Sequence, residues 1–221
     1  ATSYLNNFII TKNLLDCTNN LESIKKIIFS SSISVYEENF RDFRKMSEGF
    51  SLKPKTYYGL HKLKSEIELL RWAKKNQKLV FILRFSGIHG HPRNSGVIYN
   101  YYHSASRNQA IEVIKPNFIF SFLFLEDAVN ACIACVNKLL IPKQGHIFNI
   151  SGNEEISLKK LSLMIKERFK FSQTSLDIKE NLLKKYSVLS NKKALRKLNW
   201  KPQSFELALD DSIKKWGKDK A

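Results

Sequence analysis

Glycine is scarce, with eight in 221 residues, at Gly49, Gly59, Gly87, Gly90, Gly96, Gly145, Gly152 and Gly217. Only Gly87 and Gly90 lie close together, so the sequence writes no glycine-rich turn of the kind that lets a phosphate approach a helix amino end. Three cysteines, Cys17, Cys132 and Cys135, exclude a disulfide framework. The Cys132-Ile-Ala-Cys135 pair falls in an apolar helical stretch with no second pair to complete a zinc site, and reads as core packing. No uncharged apolar run approaches the roughly 18 residues of a membrane span, and the amino end has no basic-then-apolar signal layout. A cytoplasmic protein with no membrane span is expected. Acidic side chains are outnumbered 20 to 37, a net charge of +17 that attracts nucleic acid, anionic membrane or phosphorylated small molecules. Lysine dominates that excess and is spread along the chain, whereas directed phosphate and base contacts favour arginine clusters, so no specific nucleic-acid partner is expected.

What the chain does hold is 43% hydrophobic and 26% charged residues, the makeup of a globular protein. Periodicity predicts a helix over Asn7 to Asn19, a buried strand over Lys26 to Ser31, and a helix over Tyr57 to Lys75 with Leu60, Leu63, Ile67 and Leu70 at helical spacing. A second buried strand follows at Lys78 to Phe85, a helix at Ser95 to Arg107, an apolar run at Phe118 to Leu125, a helix at Glu126 to Leu139 and a short strand at His146 to Ile150. Ser157, Ser190 and Ser204 stand ahead of three more helical patterns. This alternation implies a parallel sheet covered by helices on both faces. Glu37 to Thr56 is the one long irregular segment, and loops of that length commonly cover a site.

Tyr58-Gly-Leu-His-Lys62 sets a phenol and an ammonium four residues apart, one turn along one helix face, so both can reach a single reaction centre. A fixed cation favours a phenolate, which is how a lysine can turn a tyrosine into an acid/base catalyst. The spacing occurs by chance in many helices, where it means a surface tyrosine beside a solvated lysine. Here the preceding strand ends in three hydroxyls, Ser30, Ser31 and Ser32, at the carboxyl end of a parallel strand, where open α/β sheets bind ligands.

Five ordered segments carry a resemblance. FSSSISVY, PKTYYGLHK at Pro54 to Lys62, LRFSGIHG at Leu83 to Gly90, FLFLEDAV at Phe122 to Val129 and ALRKLNWKP at Ala194 to Pro202 together resemble the extended short-chain dehydrogenase/reductase family, above all its NAD-dependent nucleotide-sugar epimerases and dehydratases. Asn6-Asn7, Thr11 and Leu14-Leu15 resemble the helix ahead of the family's serine strand. The resemblance implies an α/β fold: a partial Rossmann-like doubly wound parallel sheet with a small carboxyl-terminal α/β substrate domain. Residues 1–90, with 118–139 crossing back, would form the distal part of the dinucleotide domain, and 91–221 mostly the substrate part. It also implies catalytic Ser32, Tyr58 and Lys62, with Ser32 on the substrate oxygen, Tyr58 moving the proton, and Lys62 holding the nicotinamide ribose. Asn7, Ser30, Lys62 and Phe85 would meet the cofactor, NAD or NADP; Ser32, Gly87 and Arg93 would meet the substrate, a sugar nucleotide. No metal is implied, and a homodimer is compatible with it.

The pattern also breaks. The family opens with a strand and a Gly-x-x-Gly-x-x-Gly turn that this sequence does not contain, and the chain begins, with Ala1, about where the family's fourth strand has ended. That implies a fragment or a gene without its first third, weak NAD binding, and an unpaired edge at the strands Lys26 to Ser31 and Lys78 to Phe85. A non-catalytic remnant or partner-binding subunit is the alternative. Gly87 stands where the family places an Asn, and Phe120 where it places an Arg; Lys115, Arg93 or Arg107 could stand in, though each also reads as an exposed charge, and a sugar-like alcohol or ketone other than an ordinary UDP-sugar is open as substrate. Glu37 and Glu38 are candidates, by proximity, for a third acid or base. His89 and His91, without nearby carboxylates in sequence, read as loop or substrate-facing residues, not metal ligands.

Overall fold

Leu-Val-Phe-Ile-Leu-Arg-Phe, residues Leu79–Phe85, is buried at all seven positions, and such a strand needs a partner at each edge and cover on each face. The computed structural model describes residues 2–19, 21–38, 44–138, 145–169, 174–179 and 184–218, with the side chains of residues 2–7 outside that description. The helices are α1 (Thr2–Thr18), α2 (Tyr57–Asn76), α3 (Val97–Ala105), α4 (Leu125–Asn137), α5 (Leu158–Arg168), α6 (Lys192–Leu198) and α7 (Phe205–Lys218). The strands are β1 (Lys26–Ser32), β2 (Leu79–Phe85), β3 (Gly87–His89), β4 (Ile111–Val113), β5 (Phe118–Phe120), β6 (Phe122–Phe124), β7 (Gly145–Ile150), β8 (Ile156–Ser157), β9 (Leu176–Ile178) and β10 (Lys185–Ser187).

The main sheet is parallel, in the order β1-β2-β7. Strand alternation divides β2 between two cores. Leu79, Phe81, Leu83 and Phe85 pack with Ala128, Ala131 and Cys135 of α4 and Ala194 and Leu198 of α6. Val80 and Ile82 pack on the other face with Leu69, Trp72 and Ala73 of α2 and Leu15 of α1. The doubly wound α/β arrangement expected from the sequence is therefore present. Cys135 is fully buried in the first of these cores, and burial pushes its thiol up to about 12, which leaves it inert as a thiolate. Lys26 donates to the carbonyls of Cys135, Val136 and Lys138 at 2.9, 2.6 and 3.0 Å, where α4 runs out of internal partners.

One edge expectation changes. The strand at 79–85 is central, because β7 pairs with the side that β1 leaves free, and among the described residues the open edge belongs to β1. The outer edge of β7 is closed by side chains: Glu48 accepts from the Asn149 N–H at 3.0 Å and Lys193 donates to the Ile147 carbonyl at 2.8 Å.

The run Phe118 to Leu125 also differs, forming two strands in two sheets. β5 lies between β10 and β8, β6 pairs with β3, and Ser121 marks the break, donating its N–H to Ser187 and accepting from the Leu189 N–H. An unbroken apolar run has no periodicity to reveal such a switch. Ser157 caps α5 as expected, accepting from the Lys160 N–H, whereas α6 is preceded by Asn191, not capped by Ser190. Leu139 lies outside the described residues.

A third core gathers α3, α5 and α7 around Tyr101, Tyr102, Phe122, Ile165, Phe205 and Trp216. At its margin His89 is 5% exposed, ringed by Phe122, Phe124 and Phe205, and its buried Nδ1 has no hydrogen-bond partner among the described residues. Burial pushes the imidazole down from 6.5 to about 4. The folded state thus binds this proton less readily than the unfolded state. The resulting stability is present above pH 6.5 and is lost as the pH falls from there towards 4. The full loss is about 3 kcal/mol, of which roughly 2 kcal/mol goes between pH 7 and pH 5. Urea titrations at those two pH values should show this slope in the wild type and a shallower one in His89→Phe, which removes the imidazole and its orphan nitrogen together. Equal slopes would refute the assignment.

Candidate active site

The carboxyl end of β1 and the amino end of α2 meet at one backbone contact. Thr56 caps α2, accepting from the Gly59 N–H at 3.0 Å. A Cβ on Gly59 would lie 2.1 Å from the Ser34 carbonyl oxygen, so the absence of a side chain is what lets the helix come this close to the turn after β1. Ser32, the last residue of β1, caps the short 3-10 helix Ile33–Val35, accepting from the Ser34 N–H at 3.1 Å and donating to the Ser34 hydroxyl at 3.2 Å.

Lys62 joins the two elements. Its Nζ donates to the Ser30 carbonyl at 2.8 Å and lies 5.7 Å from the Tyr58 ring centroid and 4.8 Å from that of Phe29. Burial pulls its ammonium below the ordinary lysine value, and the Glu66 carboxylate pulls it back. Tyr58 and Lys62 are both half-buried and Ser30 is exposed. Phe85 pairs with Ser32 across the sheet and is buried in the core on the α4 side.

Behind this site lies a buried polar row. Ser31, Arg84 and Asn149 are in register across the three strands. Arg84 is 1% exposed and holds Glu66 of α2 from Nε at 3.0 and 3.2 Å and from Nη2 at 2.6 Å. The Ser31 hydroxyl donates to the same carboxylate. Arg84 also donates to the Tyr36 hydroxyl at 2.9 Å, which donates in turn to Asn149 Oδ1 at 2.7 Å. Burial raises the Tyr36 phenol above its ordinary value, so it stays protonated.

A cleft of about 230 Å³ opens beside these elements, lined by Ile33, Ser34, Glu37, Glu38, Met46, Lys55, Thr56, Gly87, Phe120, Lys185 and Ser187. Ser34 and Thr56 connect it directly to the Ser32 cap and to α2. Of the residues expected from sequence, Lys62 meets the Ser30 carbonyl and the Tyr58 ring, Ser32 ends β1 opposite Phe85, and Gly87, Glu37 and Glu38 line the cleft, whose lining does not include Ser30, Ser32, Tyr58 or Lys62. Arg93 does not line it; it is exposed, with its Nε on the Ser95 carbonyl at 3.3 Å. The Asn7 side chain lies outside the described residues. Lys115 and Arg107 also stand outside the lining. The cations in the lining are Lys55 and Lys185, and the latter is ion-paired with Glu38 across the cleft. Neither carries a sequence signal beyond its charge, since a lysine-rich chain offers many equivalents. His89 is buried away from the cleft, and no cluster of His, Cys, Asp or Glu among the described residues can hold a metal ion. No helix among the described residues is long and apolar enough to cross a membrane.

A parallel sheet covered by helices on both faces defines a partial Rossmann-like α/β fold. The family model described as the NAD dependent epimerase/dehydratase family matches residues 1–151, and the chain belongs to that family. No curated protein sequence matches. Among solved structures, the UDP-glucuronic acid 4-epimerase from Bacillus cereus, in complex with UDP-glucuronic acid and NAD, superposes with a TM-score of 0.83 at 19% identity, over 96% of this chain and 67% of that one. The UDP-glucose 4-epimerase from Thermotoga maritima, with UDP-glucose, gives 0.84 at 22% identity, over 97% and 70%. A UDP-galactose 4-epimerase gives 0.80 at 20%, over 96% and 70%. At these identities the likeness is one of fold.

Proposed function

We propose that this chain carries the proton-transfer and substrate side of an NAD-dependent epimerase or dehydratase acting on a sugar nucleotide. The observation that supports this most is the position of Lys62, which donates to the Ser30 carbonyl and stands over the Tyr58 ring. In this reading residues 1–90, with the 118–139 crossover, form the distal dinucleotide domain, and 91–221 are mostly substrate-binding.

The residues present fit one half of the cofactor. Lys62 would hold the nicotinamide ribose, with the exposed Ser30 beside it, while the glycines of the sequence include no turn for the pyrophosphate. When bound, the nicotinamide supplies a hydride acceptor and donor. Tyr58 takes the proton from a sugar carbinol as it is oxidised and returns it when the ketone is reduced. Ser32 donates to the same oxygen, exchanging its long bond to Ser34 for one to the substrate. Lys62 fixes the positive charge beside the phenol. Glu37 and Glu38 are placed to serve a dehydratase as the additional acid or base. Lys55 and Lys185, with Gly87 giving access, would face the anionic part of the sugar nucleotide.

Incubation of the full-length protein with NAD and UDP-glucose or UDP-glucuronic acid, followed by product chromatography, tests this reading. A 4-epimer or a dehydrated keto-sugar is expected. No turnover of either sugar, together with no NAD binding up to millimolar concentration, would favour the second reading, a non-catalytic binding subunit.

A further inference from the structure

Lys62 and Glu66 are one turn apart on α2 and grip consecutive residues of β1. Lys62 holds the Ser30 carbonyl and Glu66 accepts from the Ser31 hydroxyl. Ser32 follows directly, so the orientation of its hydroxyl depends on how firmly these two residues are tied. Glu66 is 1% exposed and its charge is matched by Arg84, also 1% exposed. A buried ion pair is a poor source of stability, because desolvation offsets most of the attraction, and a pair of apolar residues often does as well. Its value here lies elsewhere.

We propose that Glu66 is a positioning residue, which clamps the end of β1 to α2 through Ser31 and supplies the countercharge to Lys62. The proposal rests on the Ser-Tyr-Lys reading above and deepens it. Among the described residues, helix α2 brings Tyr58 and Glu66 to Lys62, and β1 brings the Phe29 ring and the Ser30 carbonyl. Arg84 of β2 pairs with Glu66, and Thr11 of α1 is bonded to Ser65 of α2 at 3.1 Å. Burial draws Lys62 towards its neutral form and Glu66 opposes this, so removing the carboxylate leaves the amine with less to keep it charged.

Two readouts separate this role from a purely structural one. In Glu66→Gln, the Lys62 titration, followed by NMR of isotopically methylated lysines, should move to lower pH than in the wild type. It needs neither substrate nor turnover. In the full-length enzyme with NAD and UDP-glucose, kcat should fall about tenfold with KM nearly unchanged, and the alkaline limb of the kcat profile should follow Lys62. Should that variant fail to fold, the double variant Glu66→Gln/Arg84→Met restores charge balance in the core and is expected to move the Lys62 titration in the same direction by a smaller amount. Ser31→Ala removes only the hydroxyl tie, and should lower kcat several-fold with the Lys62 titration in place. An unmoved Lys62 titration in the folded Glu66 variants, or wild-type kcat in Ser31→Ala, would overturn the proposal. If Tyr58→Phe remained active, the underlying site reading would be at fault; if Tyr58→Phe were inactive and Glu66→Gln indistinguishable from wild type, only the role of Glu66 would fall.

Discussion

Changing Tyr58 to phenylalanine in the full-length protein is expected to lower kcat about a thousandfold, while NAD binds with nearly unchanged affinity. The substitution removes one oxygen and keeps the ring. Lys62 stands over the ring face and donates to the Ser30 carbonyl, two contacts that do not use the phenol oxygen. The ammonium therefore stays where it is, and what disappears is the group that carries the proton. Tyr57→Phe serves as the control, since that neighbour is 72% exposed, and its rate should match the wild type. Initial rates with UDP-glucose, alongside a calorimetric NAD titration, measure both halves of the claim. A near-normal rate in Tyr58→Phe would remove the proposed proton carrier.

The elements that place this residue were readable because each rests on a local rule. The four-residue spacing of Tyr58 and Lys62 means a shared helix face wherever a helix forms, and Thr56 supplies the cap that starts it. The serines of FSSS end a strand whose next partner, Leu79–Phe85, is apolar enough to be read as central. Other features depend on contacts far apart in sequence. Glu66 looks like any helical carboxylate until Arg84, 18 residues on, is found facing it in the core. The choice of Lys55 and Lys185 over Lys115 and Arg107 for the cleft follows from strand pairing: β10 lies beside β5, and that pairing sets Lys185 against Phe118 and Ser187 against Phe120. No charge pattern announces it. The burial of His89 is hidden similarly, because its aromatic cage is assembled from β6 and α7.

The net charge of +17 takes on a narrower meaning in this setting. Several lysines are spent on the fold itself, Lys26 on the end of α4, Lys193 on the edge of β7 and Lys62 on β1, each satisfying carbonyls that would otherwise need water. The cleft, by contrast, holds Lys55 and Lys185 against Glu37 and Glu38 and is close to balanced. An anionic substrate entering there competes with Glu38 for Lys185, so the long-range field draws it in while the local pairing decides how it is held.

Gly59→Ala is the substitution that best separates the presence of the site residues from their placement. Alanine is the better helix former by about 1 kcal/mol, so propensity alone predicts a gain. The added methyl would meet the Ser34 carbonyl oxygen at 2.1 Å, the Ser34 carbonyl carbon at 2.9 Å and Pro54 Cβ at 3.0 Å. Two of those three atoms are backbone, held in the 3-10 turn that Ser32 caps, and they cannot rotate away. Relief requires the start of α2 to retreat from the end of β1 by roughly 1 Å, and a misplacement of that size is enough to lower kcat about a hundredfold. Overpacking should exceed the helix gain and leave the protein roughly 1–2 kcal/mol less stable. Every group named in the mechanism is still present in this variant, and the Tyr58 phenol and Lys62 ammonium remain one turn apart. What changes is their distance from Ser32, because the missing side chain of Gly59 lets α2 approach the turn that Ser32 caps. Steady-state rates and urea unfolding of Gly59→Ala would decide the matter: an unchanged kcat would mean that the approach of α2 to Ser34 is incidental to the reaction.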